Sequence, residues 1–192
     1  MKFTKLSETA FQELQLNAGV LLSAFDPATA ELSLSNILGA TTGGVNFKAT
    51  PTYIDFGEDV DNCPANTKEL KKLNSMDVKM SGTFVTVTVQ SVKSMLAAAD
   101  VSGDKITPRR DLMDEDFKDL WWVGDYSDKN GEDAGGFIAV HMMNTLSVGG
   151  LSIQSGKAAK GQFAFEFAAH YSMAAPDTVP FEVYVKAGAE EV

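Results

Sequence analysis

Apolar residues recur at every second position through much of this chain, the period of an extended strand with one buried face. In MDVKMSGTFVTVTV, Met76 to Val89, they hold even positions through Phe84 (Met76, Val78, Met80, Phe84) and odd positions from Val85 (Val85, Val87, Val89). A change of parity by one residue sends side chains to the opposite face. The pattern therefore predicts a bulge near Gly82, or a strand passing between two buried environments. Four further strands are predicted in DLWWVGDY, GFIAVHMMNTLSV, GQFAFEFAAHYS and PFEVYVKA. In the third, Phe163, Phe165 and Phe167 line one face, and Glu166 and His170 fall on the other. Such alternation is expected of an antiparallel sheet.

AGVLLSAFDP reads as a short strand ended by the turn signal Asp26-Pro27. Val45 to Phe56 reads as a strand or strand pair broken at Pro51, because proline cannot donate to a central ladder. The cluster Gly43-Gly44 before it lacks the following helix that a phosphate cradle requires, so it is expected to turn the chain. Helical spacing appears once, with Val92, Met95, Leu96 and Ala99 in QSVKSMLAAAD. VSGDKITPRRDLMDEDF follows as a connection. The resulting expectation is a mainly β protein, an antiparallel β-sandwich or barrel with one flanking α-helix. A single domain over residues 1–192 is expected, with an N-terminal arm over about residues 1–17 and a long polar loop over 57–75.

Composition narrows the function. Lysine and arginine number 16 against 26 acidic residues, a formal charge of -10, which argues against a surface that grips nucleic acid. Cys63 is the only cysteine, so no intrachain disulfide can form. MKFTKLSETAFQELQL lacks the apolar core of a signal peptide, and no stretch approaches the ~20 apolar residues of a membrane span. Cytoplasmic synthesis with no membrane partner is the expectation.

Catalytic and cofactor motifs fail on spacing. In GGLSIQSGKA, five residues separate Gly150 from Gly156, and Ala158 stands where a phosphate loop needs a hydroxyl, so a hairpin turn exposing Lys157 and Lys160 is predicted instead. Setting Gly131 sixth in a calcium loop puts Tyr126 first and Phe137 twelfth, where carboxylates belong. With two histidines, His141 and His170, each in a predicted strand without a catalytic motif, the expectation is a non-enzyme with no metal and no cofactor.

ILGATTGGVNF followed by TPTYIDFGEDVDNCPANTKELK, then MSGTFVTVTV, WWVGDYSD and HYSMAAPDTVPFEVYV, in that order, resemble the major tail proteins of long-tailed phages and prophages. The resemblance runs from about Ala18 to Val185. It implies a tail-tube subunit forming stacked hexameric rings around a channel for DNA. Its location would be the virion tail after synthesis in the bacterial host, and its partners other copies of itself and other tail proteins. In that setting the loop 57–75 is expected to join stacked rings. It carries Glu58, Asp59 and Asp61 in its first part and Lys68, Lys71 and Lys72 in its second. Glu166 is the candidate for the channel wall. The competing expectation is a carbohydrate-binding or adhesin-like β-sandwich module, for which Trp121-Trp122 would have to lie exposed on a sheet face.

Overall fold

The computed structural model describes residues 14–126 and 135–188. The expected arm therefore falls almost wholly outside the described residues, as does most of the calcium-like stretch, residues 127–134.

The elements in chain order are β1 (Gln15–Leu22), β2 (Ile37–Gly39), β3 (Thr41–Asp55), β4 (Lys71–Phe84), α1 (Val89–Leu96), β5 (Ala99–Ser102) and β6 (Lys105–Pro108). After them come β7 (Lys118–Tyr126), β8 (Gly136–Ser147), β9 (Ser152–Gln154), β10 (Gln162–Ala168) and β11 (Phe181–Lys186). The protein is mainly β and antiparallel, with one α-helix among the described residues, as the apolar patterning predicts. The main sheet runs β2-β1-β7-β8-β10-β4-β3, with β11 also paired to β8 and β9 to β10.

β8 joins two layers. Gly136 to Met142 pair with β7, and Phe137 to Met142 also with β11; Thr145 still pairs with β7, and Leu146 and Ser147 at its end pair with β10. Just before this changeover Asn144 adopts a left-handed φ of 50° at an irregularity in the β7 ladder. Leu21, Leu120, Val140 and Met142 from one layer then face Val78, Met80, Phe84, Phe165 and Phe167 from the other, with Met95 of α1 closing the core. The two ends of the sheet, β2 and β3, are consecutive in the chain and meet at Ala40, whose carbonyl accepts from Val85 N at 2.8 Å. Among the described residues no ladder joins β2 to β3, so the fold is a sandwich and not a closed barrel.

A second, smaller cluster lies on the outer side of the first layer, where Leu22, Trp121, Val123, Phe137 and Ala139 pack under Phe25. The two tryptophans thus straddle β7. Trp122 points to the main core, its indole donating to Ala18 O at 3.0 Å. A Cβ at Gly19 or Gly124 would come within 2.7 Å of that ring, so glycine is required beneath it.

Several expectations are corrected. Gly43-Gly44 does not turn the chain but forms a two-residue bulge inside β3, since Thr42 pairs with Thr83 while Val45 pairs with the adjacent Gly82. Both glycines have positive φ, 76° and 82°. The bulge expected near Gly82 is therefore at that level, on the partner strand. β4 itself ends at Phe84, and Val89 is already the first helical residue, so the parity change marks the chain leaving the sheet.

Pro51 does not break β3. It sits opposite Met76 in a continuous strand, tolerated because β3 is the sheet's edge. The loop expected over 57–75 is also shorter, because Lys71 to Ser75 belong to β4. The helix runs one residue earlier and ends sooner than its apolar spacing suggests. Thr88 and Ser91 form a reciprocal cap at its start, and Ala97, with φ 60°, stops it. The following connection contains a hairpin, β5 with β6, turned at Gly103.

Candidate functional site

β3 and β4 form one long hairpin whose distal part extends beyond the core. Opposite Tyr53 lies Leu73, and opposite Ile54 lies Lys72. Tyr53 and Phe56 are 53% and 57% exposed, and Ile54, Val60 and Leu73 are exposed too. These apolar side chains are stacked with charge. The Lys71 ammonium stands 5.3 Å from the Tyr53 ring centre and that of Lys72 5.6 Å from Phe56, distances at which a cation is attracted to a ring face.

The connecting loop is organised by its own polar groups. Asp55 accepts from Gly57 N at 2.9 Å through one oxygen and from Asn66 N at 3.0 Å through the other, holding both halves of the loop together. Phe56 N donates to Leu70 O at 3.0 Å, extending the hairpin pairing. Asp59, Asn62 and Asn66 take left-handed φ values near 62°, which short polar side chains tolerate. Cys63 packs inward, its Sγ 3.6 Å from Thr67 Oγ1.

Of the residues expected to join rings, Glu58, Asp59 and Asp61 lie in the exposed outer turn, and Lys68 pairs locally with Glu69 at 3.4 Å. Lys71 donates to Asn66 Oδ1 at 3.2 Å and, with Lys72, stands on β4. Among the described residues no ion pair joins the three acids to the three lysines. The structure thus brings the six to one hairpin end with their charges unneutralised by each other. The exposed apolar residues beside them carry no signal in the sequence, where Tyr53 and Ile54 look like any strand residues.

Glu166 lies on β10 opposite Ser81, on the face away from the core. Its neighbours on that face are Asn46 and Lys48 of β3 and Asp77, Lys79 and Ser81 of β4. Lys79 approaches both Asp77, at 3.4 Å, and Glu166, at 4.0 Å. Phe165 and Phe167 are buried on the opposite side and Phe163 packs against them, as the alternation predicts. The result is a polar, mixed-charge wall.

Two further groupings have chemical character. Trp121 and His141 stack face to face, with centroids 3.9 Å apart and planes within 6°. His141 Nε2 meets Asp119 Oδ2 at 3.0 Å and its Nδ1 lies 3.7 Å from Glu182 Oε2. The carboxylates occupy opposite edges of the ring and cannot converge on one ion. Among the described residues there is no cluster of three metal-ligating side chains. His170 is held by Asn144 O at 3.1 Å and meets Phe117 edge to face. The other grouping borders a cavity of about 120 Å³ between α1, β7 and β8, lined in part by Gln90, Ser94, Asp116 and Thr145. Both Asp116 oxygens are already engaged there, by Arg109 and by Met113 N.

No protein-family model matches the chain, and no curated protein matches it. Among the described residues no helix is long and apolar enough to cross a membrane.

Proposed function

We propose that this chain is a structural subunit of a self-assembling tube, in the manner of the major tail proteins its sequence resembles. Six copies form a ring, rings stack head to tail, and DNA passes through the lumen without sequence-specific binding. In this reading the protein resides in the virion tail after synthesis in the host bacterium, and its partners are copies of itself and other tail proteins. No catalytic step is assigned to it.

The observation that carries the reading is the β3–β4 hairpin. A monomeric protein gains nothing by extending a two-stranded arm that keeps Tyr53, Ile54, Phe56 and Leu73 in water, whereas a second subunit would bury them. The arm lies at the sheet's edge, where unpaired backbone groups can continue a ladder into a neighbour. A head-to-tail contact of this kind propagates into rings and filaments. The polar wall around Glu166 supports the other half of the reading, since a lumen for DNA needs a hydrated surface without excess cations. The carbohydrate-binding alternative is less well supported, because Trp121 is buried and Trp122 is taken up over Gly19 and Gly124.

Electron microscopy of the concentrated protein tests this directly. Tubes or rings of uniform width are expected from the unaltered chain. Replacing residues 58–69 by a short Gly/Ser linker spares both strands and should keep the circular dichroism of the sheet while preventing growth into tubes. Strict monomers of the unaltered chain under all conditions, together with binding to immobilised polysaccharide, would overturn the reading in favour of the alternative.

A further inference from the structure

β4 carries a different surface at each of its ends. From Lys71 to Phe84 it spans roughly 43 Å at ~3.3 Å per residue. At the Lys71 end stands the loop that joins it to β3. The outer turn of that loop, Phe56 to Asn66, holds Glu58, Asp59 and Asp61 with no basic residue, beside Phe56 and Val60, which are 57% and 51% exposed.

The Phe84 end is built by β9 and β10. Phe84 pairs with Phe163, and Phe163 in turn with Ile153 on β9. Ile153 therefore continues the core-facing row beyond the core's cover, and it is 63% exposed. The turn from β9 to β10 follows it, shaped by Ala158 at φ 57° and by Ala159 N donating to Gly156 O at 3.3 Å. It presents Lys157 and Lys160, both exposed. From Val148 to Gly161 the chain has these two lysines and no acid, in a protein whose net charge is -10. Among the described residues neither lysine has an ion-pair partner.

We propose that the outer turn of the β3–β4 hairpin in one copy seats on the β9–β10 end of a second copy, with Glu58, Asp59 and Asp61 meeting Lys157 and Lys160 and with Phe56 and Val60 covering Ile153. The inference rests on the tube reading above and adds the surface that receives the hairpin. The two patches are complementary in charge and both are apolar beneath it, yet the length of β4 separates them within one chain. Only a second copy can join them. Two hairpin ends set against each other would bring carboxylates onto carboxylates, so the charge also disfavours the reverse, head-to-head contact. A contact that uses a different patch on each side repeats without closing, and it directs growth along the strands.

Charge reversal tests the pairing. Lys157→Glu with Lys160→Glu, and separately Glu58→Lys with Asp61→Lys, should each keep the circular dichroism of the unaltered chain and lose growth into tubes at low salt. Both pairs of changes combined in one chain should restore growth. Normal tubes from either pair alone, or no recovery in the combined variant while the unaltered chain grows, would overturn the docking surface and leave the tube reading in place.

A second measurement needs no tubes. In a Cys63→Ser background, Val60→Cys and Ile153→Cys proteins mixed under mild oxidation should form a mixed disulfide dimer at least about tenfold faster than either protein alone forms its own dimer. Equal rates would overturn the proposal whether or not the unaltered chain assembles. A mixed dimer from a chain that never forms tubes would support the contact and count against the tube reading.

Discussion

Asp116 receives the Arg109 guanidinium on both carboxylate oxygens, at 2.7 and 2.9 Å, with its side chain wholly excluded from solvent. Met113 N donates to the same carboxylate at 2.9 Å, and Arg109 also reaches Asp111 O at 3.1 Å. Arg109 Nε lies 2.8 Å from Asp100 Oδ1, outside hydrogen-bond geometry. One buried pair therefore ties the β5–β6 hairpin to the start of β7. Removing one partner strands the other charge, so Asp116→Ala should cost about 3 to 5 kcal/mol by urea unfolding. The double change Arg109→Met with Asp116→Leu should recover much of that loss.

Gly43 and Gly44 carry left-handed φ, and a Cβ added at either would have nothing within 4 Å, so substitution there meets a backbone penalty and no clash. Gly43→Ala and Gly44→Ala should each destabilise by about 1 to 2 kcal/mol. A denaturation midpoint unchanged in both would show that the bulge relocates freely along β3.

Tyr184 donates its hydroxyl hydrogen to Glu182, and this bond, then burial and then the Glu182 charge, raise its pKa above the ordinary 10.0. The folded state thus holds the proton more tightly than the unfolded chain. The sign follows: this contribution is intact below about pH 10 and is lost as pH rises through the folded value. Stability measured from about pH 9 to about pH 11 should fall more steeply in the unaltered protein than in Tyr184→Phe.

If the polar wall faces a lumen, Glu166→Lys should leave tube formation intact and raise the retention of DNA in assembled tubes. The effect should fade with added salt, as phosphate contacts do. Well-formed tubes with unchanged retention would place this wall on the outside.

Alternation exposed β10 in the sequence because it packs one face on the core, which stamps the period of two on its residues, whereas β7 and β8, covered on both faces, read as unbroken apolar runs. Lys71 to Ser75 and the β5–β6 hairpin left no such stamp, since neither buries a face. A glycine pair asks only for positive φ, which a turn and a bulge both supply, so Gly43-Gly44 was ambiguous without its partner strand. Pro51 argues against a central strand and is silent about an edge. At the hairpin end, Glu58, Asp59, Asp61 and the lysines were legible as a charged segment. Tyr53, Phe56 and Leu73 were not legible as surface, because a sequence records that a residue is apolar and not whether anything covers it.

The pairing of β1 with β7 sets a timetable for synthesis. Leu22 pairs with Trp121, which leaves the ribosome about 100 residues later. At the usual pace of translation that is a delay of about 5 to 20 s. Throughout it Leu21 and Leu22, fully buried in the finished protein, have only the three-residue β2 to pair with and no second layer to cover them. The β3–β4 hairpin, by contrast, closes on residues only a short loop apart. A nascent chain therefore completes its projecting hairpin before it has a core, and exposes that hairpin's apolar side chains to its neighbours on the polysome for the whole of the delay.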